Sequence, residues 1–132
     1  MKEFHLEIVT PDGLVFDDKV ESLLVRTDDG DVEFLAGHID YMASLGTGKA
    51  RLKIGGTDRF ASVSGGFVTV SGGEVKLVAI TFEFAENIDL ERAKAAKEKA
   101  TELLSSAKDA ATIELAKAKL QRALNRINVA EL

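Results

Sequence analysis

An all-β sandwich or barrel followed by an antiparallel two-helix hairpin is the fold this sequence predicts, and three observations predict it. All 11 glycines lie at or before Gly73 and the single proline is Pro11, so the last 59 residues contain neither strong breaker of regular structure. Before that point, short runs rich in β-branched and aromatic residues alternate with turn chemistry at the spacing of a sandwich. Divided at Ile88, the chain carries a net charge of −7 in its first part and +2 in its second, an acidic body with a mildly basic appendage.

The elements follow in order. Apolar and polar residues alternate in Phe4-His5-Leu6-Glu7-Ile8 and in Arg51-Leu52-Lys53-Ile54, as in strands with one wet face. Val75-Lys76-Leu77-Val78-Ala79-Ile80 is more apolar and suits an interior strand. Turn chemistry is placed at Pro11-Asp12-Gly13, Asp28-Asp29-Gly30, Gly46-Thr47-Gly48, Gly55-Gly56, Gly65-Gly66 and Gly72-Gly73. From residue 89 alanine, leucine, glutamate, lysine and arginine dominate, all favourable in helices. Apolar residues recur at three-to-four spacing through Ala93, Ala96, Ala100, Leu103/Leu104 and Ala107, then Ile113, Ala116, Leu120, Leu124 and Ile127. The polar stretch from Ser105-Ser106 to Thr112 divides them, because its side chains compete for helical backbone groups. An alanine-dominated first arm offers its partner little area to bury, so the hairpin is expected to detach easily.

Composition excludes several functions. With 132 residues the chain can bury roughly two-thirds of its extended surface and needs no staples. It has no cysteine, which removes disulfides, thiolate metal sites and thiol catalysis. An excess of 22 acidic over 17 basic residues argues against binding nucleic acid. No apolar run approaches a membrane span and the start lacks a signal-peptide pattern, so the cytoplasm is the expected compartment.

The two histidines, His5 and His38, have no second histidine at metal-ligand spacing, and no serine sits in a nucleophile elbow. No catalytic residue and no metal site is assigned. Gly46-Thr47-Gly48-Lys49 fails the phosphate-loop pattern at Ala43 and Ala50 and reads as a hairpin turn. A more informative group lies at the joint and in the helices. Arg122 and Arg126 are four apart, and Arg92 and Lys99 seven apart, so each pair shares a helix face. A folded-back hairpin would converge these cations near Asp89 and Glu83, a cradle for a polyphosphate beside carboxylates able to accept an amino group's hydrogens. The alternative is that Asp89 caps a helix, Arg92 pairs with it at i+3, and the basic face is solvated.

The chain resembles the epsilon subunits of bacterial F-type ATP synthases from Phe4 to Leu132. The matching stretches are Leu6-Glu7-Ile8-Val9-Thr10-Pro11 with Gly13, Gly30-Asp31 through Leu35, Gly37-His38, Ser64-Gly65-Gly66-Phe67-Val68 and Ile88-Asp89-Leu90-Glu91-Arg92-Ala93. The resemblance implies a ten-stranded β-sandwich (residues 1–87) that binds the rotor stalk and a regulatory helical hairpin (88–132). It implies a noncatalytic central-stalk subunit on the cytoplasmic face of the membrane, packed on the gamma subunit and the c-ring. The hairpin would extend into the α3β3 head and inhibit ATP hydrolysis, with Lys119, Arg122 and Arg126 meeting a β subunit. No cofactor is required. ATP is implied as a regulatory ligand through Glu83, Ile88, Asp89, Arg92, Lys99, Arg122 and Arg126, with Lys99 standing where ATP-binding relatives carry arginine. Lysine lacks the bidentate fork, so weaker phosphate gripping is expected. Asp31, His38 and Met42 are carried to the c-ring contact. Ala36 and Asp40 stand where the family usually has proline, so a more mobile, more acidic loop is expected. Two competing classes are a structural adaptor that never switches and an unrelated ligand-binding or enzymatic sandwich whose helices dimerise it.

Overall fold

The computed structural model describes residues 2–132, which form two compact units divided between Phe84 and Ala85. The first contains eight strands: β1 (Phe4–Thr10), β2 (Gly13–Val20), β3 (Ser22–Thr27), β4 (Gly30–Leu35), β5 (Tyr41–Ser44), β6 (Gly48–Ile54), β7 (Thr57–Ser71) and β8 (Glu74–Phe84). Their order is β2-β1-β8-β7-β6-β3-β4, with β5 added on β7. The β1/β8 pair is parallel and the others are antiparallel. Leu6 and Ile8 of β1 share one core with Leu23 and Val25 of β3, although three strands separate β1 from β3 in the sheet. Only a sheet folded over on itself permits that, and the result is the expected sandwich. Alternation in β1 buries Phe4, Leu6 and Ile8, while Leu52 of β6 is also buried. The interior strand is confirmed in β8, which has β1 on one side and β7 on the other.

The structure has eight strands where the resemblance implies ten, and two glycine sites expected at hairpin turns are not hairpin turns. Gly65-Gly66 lies inside the 15-residue β7, whose pairing with β8 continues from Ser64↔Thr81 to Gly66↔Ala79. Before the glycines Ala61 and Val63 face the core, and after them Val68 and Val70 do. The change of parity shows that the ribbon turns over without breaking. A Cβ on Gly66 would stand 1.9 Å from the Val78 carbonyl oxygen, so the close approach of the two backbones demands glycine. The first half of β7 pairs with β6 and the second with β5, which places β7 in both layers. Gly46-Thr47-Gly48 therefore joins two successive partners on one edge of β7 rather than two strands of a hairpin. Gly48 is needed because a Cβ there would lie 2.5 Å from Arg26 Cβ.

The second unit begins with a 3-10 turn (Ala85–Asn87), followed by α1 (Leu90–Ser106) and α2 (Ala110–Ala130). The break falls where expected: Ser105 and Ser106 hydroxyls donate to the Glu102 carbonyl at 2.9 and 3.0 Å, and α2 restarts on Asp109 as its N-cap. The two helices pack together as an antiparallel pair. Ala93 and Ala100 of α1 and Ala116, Ala123 and Val129 of α2 are buried. Ala96 and Leu124, expected on the stripes, are exposed. The seam runs Leu120, Ala123, Ile127 at spacings of three and four, which leaves Leu124 about 100° around the helix from buried Ala123.

Candidate functional site

At the hairpin's start, Asp89 is the N-cap of α1 and its Oδ1 accepts a hydrogen bond from the Arg92 backbone N–H at 3.1 Å. Half-buried Ile88 and buried Ala93 occupy the N′ and N4 positions, the pair that forms a hydrophobic staple. The stretch Ile88-Asp89-Leu90-Glu91-Arg92-Ala93 is thus a complete helix-start signal. The capping reading of Asp89 holds; the bond comes from the Arg92 backbone, and Arg92 itself is exposed. Lys99 is exposed two turns further on, and Lys119 is exposed in α2. Because α2 runs back along α1, half-buried Arg122 and Arg126 lie at the same end of the hairpin as Asp89 and Arg92, with Lys99 nearer its middle. Glu83 belongs to the sandwich, half-buried on β8 opposite Ser62.

Asp109 was not singled out by spacing, though Asp immediately before a helical run is a legible cap. Its carboxylate accepts from the Thr112 N–H at 3.1 Å, and hydrogen bonds from the Thr112 side chain and backbone hold it below the usual carboxylate range.

Asp31, beside the β3–β4 turn, pairs with Arg26 at 3.3 Å, and the connection 36–40 leaves the opposite end of β4. In the connection 36–40, the His38 ring packs edge-on to buried Phe34 at 4.9 Å and to Tyr41 at 5.8 Å. Asp40 Oδ1 accepts from the Gly72 N–H at 3.0 Å. These ties give the connection specific anchors. Ile39 in the connection and Met42 in β5 are large apolar side chains left to solvent, 78% and 69% exposed.

The outer face of the β2-β1-β8-β7 layer carries a feature that only strand register reveals. Leu14, Val9, Val78 and Phe67 are consecutive cross-strand partners and form one apolar row. Leu14 is 62% and Phe67 38% exposed, and Ile80, two residues beyond Val78, is 65% exposed. Towards the 36–40 end the same face becomes charged, with a Lys76–Glu7 pair at 3.4 Å and then His5, Lys19 and Glu74.

His5 hydrogen-bonds to Asp17 through Nε2, and its Nδ1 lies 3.8 Å from Glu74. Both ring nitrogens face carboxylates, an arrangement that suits the imidazolium. Its pKa is raised first by the Asp17 hydrogen bond, with desolvation opposing and the charges of Asp17, Glu74 and Glu7 assisting. A raised folded-state pKa means that this stabilisation is fully present below the unfolded value near 6.5 and is lost as pH rises through the folded value. The stability difference between wild type and His5→Gln is therefore expected to be largest near pH 6 and to shrink towards pH 9. Urea denaturation across that range measures it, and a difference that does not change with pH would refute the clasp.

A sandwich with an apolar outer row and an apolar loop, followed by a capped helical hairpin, has the surface of a docking subunit. The model of the ATP synthase delta/epsilon chain β-sandwich domain matches residues 3–85, and that of the delta/epsilon chain long α-helix domain matches residues 86–131. The ATP synthase epsilon chain of Bacillus velezensis is 45% identical over 130 residues, covering 98% of each chain. That of Bacillus subtilis is 47% identical over 130 residues with the same coverage, and that of Caldicellulosiruptor saccharolyticus 39% over 131 residues, covering 99% of this chain and 96% of its own. A chain in the Euglena gracilis mitochondrial ATP synthase OSCP/F1/c-ring structure superposes with a TM-score of 0.81 at 25% identity, over 93% of this chain and 78% of that one. The fold also matches a chain of the Tetrahymena thermophila mitochondrial ATP synthase central stalk/c-ring structure, with a TM-score of 0.69 at 11% identity over 98% and 97% of the two chains. The chain belongs to the ATP synthase epsilon-chain family: it is a subunit of that complex and not itself an enzyme. Among the described residues, no helix is long and apolar enough to cross a membrane.

Proposed function

We propose that this chain is a rotor subunit of the central stalk, held on the cytoplasmic face of the membrane, whose sandwich couples rotation to ion flow and whose hairpin is a movable brake on ATP hydrolysis. The apolar row Leu14-Val9-Val78-Phe67 suits the gamma subunit, since a contiguous exposed apolar strip marks an interaction surface. Of the residues carried to the c-ring contact, His38 and Met42 lie at the 36–40 end, which suits the apolar loops of a c-ring, whereas Asp31 lies at the opposite end of β4, beside the β3–β4 turn.

The observation that carries the brake is the composition of the hairpin seam. Four of the five fully buried residues of the hairpin are alanines, and Leu120 and Ile127 beside them are only half-buried. Each contributes on the order of 0.8 kcal/mol, against roughly 1.5–3 for a buried leucine. Two helices joined this weakly can part, and the basic face of the second, with Lys119, Arg122 and Arg126, can then meet an acidic segment of a catalytic β subunit. ATP is the ligand that would hold the hairpin folded, gripped by Arg92, Lys99, Arg122 and Arg126, with Glu83 and Asp89 accepting from the adenine amino group beside Ile88. Asp89 caps through one oxygen and retains a second for this role. ATP at 100 times its Kd stabilises the state it binds by about 2.7 kcal/mol, enough to decide the position of an alanine seam.

A second reading is favoured by the helix-start signal itself: the cap and staple account for Ile88-Asp89-Leu90-Glu91-Arg92-Ala93 in a static adaptor that never meets ATP. Asp89→Ser separates the two, because serine keeps a capping oxygen and removes the carboxylate. Calorimetric titration is expected to show ATP affinity reduced more than about tenfold, the loss of one charge-assisted contact, with helicity retained. Unchanged affinity would move the ATP site away from Asp89, and no ATP binding by the wild type favours the adaptor. In the assembled synthase, deleting residues 89–132 is expected to raise ATP hydrolysis several-fold, and unchanged hydrolysis would refute the brake.

A further inference from the structure

The connection between β4 and β5 leaves the sandwich at Leu35 and returns at Tyr41, carrying Ile39 at its outer edge. Most of what holds it is local. The His38 N–H donates to the Leu35 carbonyl at 3.2 Å, and His38 Nδ1 donates to the Ile39 carbonyl at 2.7 Å. Phe34 and Tyr41 clasp the His38 ring. The hydrogen bond from the Gly72 N–H to Asp40 is different in kind, because it spans 32 residues and reaches the turn between β7 and β8. That turn is itself tied across the sheet, since Glu74 just beyond it faces His5 of β1.

A side chain exposed on a five-residue connection takes many orientations unless the backbone on both sides of it is held. His38 holds one side of Ile39 through its ring contacts, and Asp40 holds the other. We propose that Asp40 is a positioning residue, whose carboxylate latches the 36–40 connection to the β7–β8 turn and so presents Ile39 and Met42 to the c-ring in one orientation. This rests on the reading of this sandwich end as the c-ring contact. The latch acts by preorganisation: it touches no partner and lowers the ordering cost of docking. It needs an acceptor oxygen and not a charge, so Asp40→Asn keeps it and Asp40→Ala removes it.

The test uses the full-length chain and the synthase reconstituted in vesicles. In the isolated chain, Asp40→Ala is expected to speed exchange of the Gly72 amide hydrogen about tenfold, the worth of one hydrogen bond, while core amides of β8 stay protected. In vesicles the same variant is expected to lower ion pumping per ATP hydrolysed, and Asp40→Asn to restore both readouts. Gly72 exchange unaffected by Asp40→Ala overturns the latch. Pumping lost in Ile39→Asp but intact in Asp40→Ala also overturns the positioning role, with the c-ring contact still standing. Pumping undiminished in Ile39→Asp overturns the c-ring contact itself, and the exchange result then reports on the latch alone.

Discussion

Gly66→Ala is expected to lower the melting temperature of the sandwich by more than about 12 °C, corresponding to a loss above roughly 3 kcal/mol, or to prevent soluble expression. The added methyl would sit 1.9 Å from the Val78 carbonyl oxygen and 2.9 Å from Ala79 Cα, both backbone atoms of the paired strand. A flexible side chain could move aside; a strand held by hydrogen bonds on both edges cannot do so without parting β7 from β8. Gly55→Ala supplies the comparison. Gly55 also has a positive φ, 57°, but a Cβ there meets nothing within 4 Å. Its substitution should cost only the left-handed backbone penalty of about 1–2 kcal/mol. Thermal denaturation of the two variants separates collision from backbone strain, and equal losses would show that the close approach at Gly66 is not what requires glycine.

Phe67→Asp is expected to weaken association with the gamma subunit by at least about 30-fold, as loss of an aromatic anchor commonly costs 2 kcal/mol or more. Phe67 is partly exposed at one end of the apolar row, so its replacement should leave the fold intact. The charge would be placed beside Val78, in the middle of the row. Asp58→Asn, on the half of β7 that pairs with β6, should leave the affinity unchanged. Binding of purified gamma to each variant measures this. Undiminished affinity for Phe67→Asp, with an unchanged melting temperature, would remove the row from the gamma interface.

Local chemistry made the division of the chain legible. Glycine and proline end before the helices begin, and period-two alternation in β1 and β6 gives way to three-to-four spacing in α1 and α2. The helix start at Ile88-Asp89 was also readable, because a cap acts on a backbone N–H only three residues away. Sites built from residues close in sequence are readable for the same reason. The continuity of β7 was not, since Gly65-Gly66 has the composition of a turn whether the chain reverses there or passes closely by a neighbour. The hairpin seam was legible in period but misplaced at Leu124, where two leucines and an isoleucine at spacings of four and three allow either alanine or leucine to fill the gap.

By itself, then, the sequence determined where strands, caps and helices form and which family the chain resembles, because those depend on residues within a few positions of one another. Tertiary structure decided the rest. Leu14, Val9, Val78 and Phe67 are scattered over 70 residues and become one row only when β2, β1, β8 and β7 pair in a particular register. Asp40 meets Gly72, and His5 meets Asp17 and Glu74, through the same pairing. Register is a property of the whole sheet, set by which faces the core can bury, and no local pattern contains it.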